Sequence, residues 1–177
     1  MSSSKVDHQR IYRAVPLFKS LSEEELDAIL KISRLFRSPE GHKLVEQGEA
    51  GKGVFIIVNG GAAVTIVDED GESTVLAQLS RGDAVGELSL IDSSPHSATV
   101  TCTETSTVFH LDNRAFNALR AEHHSAAFKV LRATAPMICE RLRQMNDRIA
   151  AIFADPQKSM AEMEKVYLRK TESNPFQ

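Results

Sequence analysis

Between Leu35 and Leu111 the chain is cut into short runs rich in β-branched residues, at 53–58, 62–68, 74–79, 97–103 and 106–111. Glycines at 41, 48, 51, 60, 61, 71, 82 and 86 punctuate them. Runs of this length, with turn residues at near-regular intervals, imply an all-β barrel or sandwich. Asn59-Gly60-Gly61 joins two of the strongest runs, and its residues tolerate the positive φ of a tight hairpin. Asp68-Glu69-Asp70-Gly71 reads as a second, acidic hairpin tip. No repeat and no low-complexity tract interrupts the region.

The flanks are helical. Ser22 is an N-cap with Glu25 three residues on as its capping-box partner, and Leu21 is placed to staple onto Leu26. Leu26, Ile29, Leu30 and Ser33 then share a face, so residues 22–33 read as an amphipathic helix, preceded by a short helix from Arg10 to Phe18 ending near Pro16. Beyond Asp112, Phe128, Leu131, Ala135, Ile138, Leu142, Met145, Ile149 and Ile152 alternate in steps of three and four, a heptad seam. Pro136 lies inside that seam and implies a kink or restart, while Asp155-Pro156 closes the helix. The stripe is longer than one small barrel needs, so a homodimer through residues 128–152 is expected. The expected organisation is an N-terminal helical segment, 1–34; a β domain, 35–111; hinge and dimerisation helices, 112–155; and a polar tail, 156–177.

Composition removes several function classes. A net charge of −3 and a pI near 6.1 argue against gripping nucleic acid by its phosphates. Wholly apolar runs such as Val54–Val58 are far too short to span a bilayer, and the N-terminus lacks the apolar core of a secretory signal. Cys102 and Cys139 are too few for a disulfide framework and have no metal-ligand spacing, so a reducing cytoplasm is the expected compartment. Cys102 alternates with apolar neighbours and reads as core. His42, His110, His123 and His124 form no His-x-His pair of the kind that holds a metal in a cupin barrel. No Ser/His/Asp or paired-carboxylate arrangement stands out, so no catalytic residue, no metal and no cofactor is expected.

The informative stretch is Arg81-Gly82-Asp83-Ala84-Val85-Gly86-Glu87-Leu88-Ser89-Leu90-Ile91-Asp92-Ser93-Ser94-Pro95-His96-Ser97-Ala98-Thr99-Val100. Gly86 lets the backbone approach a ligand closely, and Glu87-Leu88-Ser89 can start a short helix within the β domain. A helix N-terminus with free amides there reads as an anion site, with Glu87 able to accept from sugar hydroxyls.

This stretch resembles the phosphate-binding cassette of the cyclic nucleotide-binding domain family, the jelly roll of catabolite-activator-type regulators, kinase regulatory subunits and some ion channels. Further marks are Pro16-Leu17-Phe18, Gly41-His42-Lys43-Leu44-Val45-Glu46-Gln47-Gly48-Glu49, Val54 to Gly60 and Leu79-Ser80-Arg81-Gly82-Asp83, in order, across roughly two-thirds of the chain. The resemblance implies a mainly β fold with flanking helices: a β-jelly-roll barrel of about eight strands, N-terminal helices and a long C-terminal helix. It implies cAMP or cGMP as ligand. Gly86, Glu87, Leu88 and Ser89 would surround ribose and phosphate, with Glu87 on the 2′-hydroxyl. His96, Ser97 and Ala98 would lie on the phosphate side, and Val64 and Leu76, on the inner face, would line the base pocket. The C-terminal helix would bring Met145 or Asn146 to the base.

One position departs from the family pattern. An arginine usually precedes the Ser-Ala of the next strand, and here His96 stands there. Arginine offers a permanent charge and a fork of donors; histidine offers at most two donors and a pH-dependent charge. The expected function is a cyclic nucleotide sensor, weakened in affinity, that relays binding to an effector protein through its C-terminal helix. The other reading is a ligand-free domain of the same fold serving as an interaction or dimerisation scaffold. The segment beyond Asp155 is too short for the helix-turn-helix of the family's transcription regulators, so DNA binding is not expected.

Overall fold

The computed structural model describes residues 15–92 and 94–155. Residues 10–14 of the helix expected over Arg10–Phe18, and the polar tail from Pro156 onward, lie outside the described residues. Contacts divide the chain into two compact units between Thr134 and Ala135.

The first unit holds eight strands among the described residues: β1 Ser33–Ser38, β2 Lys43–Val45, β3 Gly53–Asn59, β4 Ala62–Val67, β5 Ser73–Leu79, β6 Ala84–Val85, β7 Thr99–Cys102 and β8 Ser106–Asp112. They form two antiparallel four-stranded sheets, in the orders β1-β8-β3-β6 and β2-β7-β4-β5. This is the expected jelly roll with one correction. The sheets do not close into a barrel, and β1, β6, β2 and β5 remain edge strands.

The continuous apolar run of β3 follows from its central place, since a strand covered on both faces has no reason to alternate. One face carries Phe55 and Ile57 into the core between the sheets, with Leu44, Val45, Val85, Val100, Cys102 and Val108. The other face pairs Val54 with Leu111 and Ile56 with Phe109. There Phe18 meets Phe109 edge-on, with ring centroids 5.7 Å apart. Cys102 is buried as expected, and Cys139 is exposed.

Pro16–Phe18, in the described end of the helix expected over Arg10–Phe18, form a 3-10 turn. Helix α1, Glu23–Lys31, has the anticipated capping box: Ser22 Oγ accepts from Glu25 N at 3.2 Å, and Glu25 Oε2 accepts from Ser22 N at 2.7 Å. Ser33, expected on the helix, opens β1 and donates its hydroxyl to the Ile29 carbonyl at 2.6 Å. Helix α2, Asn113–Ala121, is capped by Asp112. Helix α3, Ser125–Ala154, continues on both sides of Pro136 rather than restarting there. Its opening turns belong to the first unit, where Glu25 accepts from Lys129 Nζ and Ser125 Oγ, each at 2.7 Å.

The second unit, among described residues, is the remainder of α3 and Asp155. Leu142, Met145 and Ile149 of the expected seam are exposed.

Candidate functional site

After β6 the chain reaches Gly86 with φ 80° and ψ 9°, a left-handed conformation that side chains with a Cβ adopt reluctantly. The position has a second constraint: a Cβ there would collide with the Gly53 carbonyl oxygen. Gly86 thus lets the segment lie directly on the start of β3.

A single 3-10 turn, Glu87–Leu90, follows. It is the short helix expected after Gly86, and a turn of this length sums few peptide dipoles. The anion-site reading must therefore rest on side chains. Glu87 is almost fully enclosed, at 1% exposure, and Leu88 points outward at 48%. Ser89 is buried and donates its hydroxyl to the Gly86 carbonyl at 2.6 Å, which fixes the turn from within.

The chain returns to β7 through Pro95, His96, Ser97 and Ala98. His96 is half-buried, and its ring stands over the turn: Cε1 lies 3.7 Å from the point a Gly86 Cβ would occupy. Its Nε2 is buried and makes no hydrogen bond among the described residues. Burial is the main reason its pKa falls below the ordinary 6.5; nearby Lys52 acts in the same direction and Glu49 against it. The imidazole is accordingly neutral at pH 7 without a ligand. Ser97 is exposed, and Ala98 is partly covered.

Of the two residues expected along the base pocket, Val64 is partly buried and packs on the core between the sheets. Across from it stands Ala77, while Val75 stands opposite Thr65, so Leu76 is the additional residue of a β-bulge. It is 41% exposed. Met145 and Asn146 are exposed residues of α3 in the second unit.

The sequence reading missed the β2–β3 loop. Gly48 N donates to the His96 carbonyl at 2.8 Å, and His96 N donates to the Glu49 carbonyl at 2.9 Å. Ala50 bridges to Pro95, and a Cβ on Gly51 would strike the side chain of Ser89. Asn113, at the start of α2, holds the loop from behind through Gly51 O at 3.2 Å and Lys52 O at 3.1 Å. The density of glycines around two charges, Gly48-Glu49-Ala50-Gly51-Lys52-Gly53, was the available signal. Arg120 of α2 reaches the Leu90 carbonyl at 3.4 Å, joining the turn to the helices.

The family model for the cyclic nucleotide-binding domain matches residues 35–123. The chain belongs to the cyclic nucleotide-binding domain family. A cAMP-dependent protein kinase regulatory subunit of Mycosarcoma maydis is 40% identical over 93 residues, which is 52% of this chain and 18% of that protein. A CRP-like cAMP-activated global transcriptional regulator of Mycobacterium tuberculosis is 26% identical over 140 residues, 78% of this chain and 61% of that one. The chain thus spans less than two-thirds of either relative, and both are regulatory proteins rather than enzymes. Among solved structures, a cyclic nucleotide-binding domain from Methylobacillus flagellatus superposes with a TM-score of 0.69 at 25% identity, covering 80% of each chain. The regulatory domain of Toxoplasma gondii PKA, crystallised with cAMP, gives 0.60 at 29% identity, covering 67% of this chain and 45% of that one.

Among the described residues no group of three His, Cys, Asp or Glu side chains is placed to hold a metal ion. No helix among them is long and apolar enough to cross a membrane.

Proposed function

We propose that this chain is a cyclic nucleotide sensor whose bound ligand, cAMP or cGMP, is reported through α2 and α3 to an effector protein. The observation that carries the reading is the conjunction at the cassette: a left-handed glycine with no room for a side chain, followed at once by an enclosed acid, Glu87. An acid taken out of water is costly and is retained where it does something. Accepting a ribose 2′-hydroxyl, with Gly86 letting the turn that carries Glu87 lie against β3, is what this geometry suits. The names of the relatives make cAMP the first ligand to try.

His96 sets the affinity and its pH dependence. A phosphate beside Nε2 raises the imidazole pKa, so binding takes up a proton between the lowered free value and the raised bound value. Affinity therefore rises as pH falls from 8 and levels off once free His96 is itself protonated. Relay follows the contacts of the first unit: Arg120 ties the cassette to α2, and Glu25 ties α1 to the start of α3. The regular seam on α3 supports a second copy of this chain as one of its partners, and nothing in the charge balance favours DNA.

The test is calorimetric titration of cAMP and cGMP at pH 6 and pH 8, with His96→Arg alongside. Saturable binding that tightens in the acid sample, by no more than about tenfold per pH unit, is expected, since one proton is linked. His96→Arg should bind about ten- to a hundredfold more tightly and lose most of the pH dependence, because a charge-assisted hydrogen bond contributes about 1.5–3 kcal/mol. Silence from the native chain with binding by the variant means a pocket disarmed at one residue. Silence from both refutes the sensor and leaves the ligand-free scaffold.

A further inference from the structure

Between Gly86 and Ala98 the cassette holds no lysine or arginine, yet a cationic side chain stands on the loop laddered to it. Two backbone hydrogen bonds and a bridge pin residues 48–50 against Pro95 and His96. Two residues later the Lys52 backbone is fixed as well, its carbonyl accepting from Asn113 N and facing His110 Nε2, both at 3.1 Å. Its side chain is not fixed in this way. Lys52 Nζ meets Glu49 Oε2 at 2.6 Å, and the two side chains are 59% and 44% exposed. An exposed ion pair of this kind contributes little, so exchanging the carboxylate for another anion costs little.

The other donors at hand are limited. Ser89 spends its hydroxyl on the Gly86 carbonyl, and His96 is neutral before a ligand arrives. A cyclic phosphate diester keeps its negative charge throughout the physiological range, so it needs a cation or several dipoles in place of water. Lys52 and Glu49 already act on His96 in opposite senses, which shows that both stand within electrostatic reach of its ring.

We propose that Lys52 is the second cation of this anion site: as the ligand enters, its ammonium leaves Glu49 and joins His96 on the phosphate. Glu49 is then a competitor that holds Lys52 until a phosphate displaces it. The identity of the phosphate as a cyclic nucleotide's rests on the function proposed above, whereas the anion site itself rests on this geometry.

The test compares the native chain with Lys52→Gln, Lys52→Arg and Glu49→Gln, each titrated with cAMP, cGMP and, separately, inorganic phosphate, while the His96 ring resonances are followed by NMR. Lys52→Gln should weaken binding about five- to tenfold at low salt, with the gap narrowing at high ionic strength as an exposed charge is screened. Lys52→Arg should keep the affinity. Glu49→Gln should raise it about two- to threefold, the worth of an exposed pair. Equal nucleotide affinity for the native chain and Lys52→Gln overturns the role of Lys52 and leaves the sensor standing. If no nucleotide binds but inorganic phosphate shifts the His96 resonances less readily in Lys52→Gln, the sensor fails and the Lys52 anion site stands. If neither nucleotide nor phosphate moves those resonances, both are overturned.

Discussion

Replacing Glu25 with glutamine separates the charge of one side chain from its shape. Glu25 closes the capping box of α1 and at the same time accepts from Ser125 and Lys129 at the start of α3. The Lys129 contact is the largest reason its pKa falls from 4.5 to about 2, followed by the Ser22 amide and the Ser125 hydroxyl. A shift of that size corresponds to about 3 kcal/mol of stability at neutral pH. Lys129 is 37% exposed, and solvent screening reduces the usable part to about 1–2 kcal/mol. Because the folded pKa is depressed, this stability is fully present above pH 4.5 and is lost as pH falls toward 2. Glutamine keeps one acceptor for the capping box, loses the charge and turns the other oxygen into an amide donor. The chain has no tryptophan, so urea unfolding is best followed by far-UV circular dichroism. At pH 7 the midpoint should fall by about 0.5–1 M for Glu25→Gln, given usual urea slopes. The gap should close progressively below pH 4.5, and Lys129→Met should add little on the Glu25→Gln background. A gap that stays constant from pH 7 to pH 3, or no gap at all, would refute the ion pair as the source.

Two further outcomes test the remaining geometry. Gly86→Ala and Gly71→Ala both force a methyl group onto a left-handed residue, but a Cβ at Gly71 meets nothing within 4 Å, whereas at Gly86 it meets the Gly53 carbonyl. Gly71→Ala should cost about 1 kcal/mol in urea unfolding, and Gly86→Ala clearly more together with loss of nucleotide binding; equal costs would remove the close approach from the argument. On α3, Leu142→Glu should abolish concentration-dependent dimerisation in sedimentation equilibrium, and a native chain that stays monomeric at the highest concentration counts against the seam.

How far the sequence disclosed these features depended on the range of the interaction. The capping box at Ser22 and Glu25 spans three residues and was legible as it stands; the second use of Glu25, on Ser125 and Lys129, joins residues a hundred positions apart and left no local mark. The strands with strong apolar runs could be read almost to their ends. β1 could not, because Ser33-Arg34-Leu35-Phe36-Arg37-Ser38 is an edge strand whose partly solvated faces admit arginines, one of them over the Phe36 ring at 5.3 Å. β6, with two residues, is too short for any periodicity. Whether eight strands close on themselves is decided by pairing at the edges, which residue type scarcely records. The cassette was visible through Gly86 and Glu87, but the loop that faces it was not, since its nearness to His96 is created only when β2, β3 and β7 assemble.

In the proposed sensor the same contacts would set a threshold for signalling. A ligand moves a helix only by as much as it prefers one helix position over another. The ion pair at Glu25 holds the start of α3 with about 1–2 kcal/mol after screening. A ligand at a hundred times its dissociation constant contributes about 2.7 kcal/mol to the state it binds. The two quantities are of the same order, so most of that binding free energy must discriminate between helix positions for the contact at Glu25 to yield. A neutral His96 lowers what is available at pH 8, and protonation restores it as pH falls. Weakening the Glu25 contact should therefore make the helix respond at lower ligand concentration, and the effect should be largest at alkaline pH, where the ligand has least to spare.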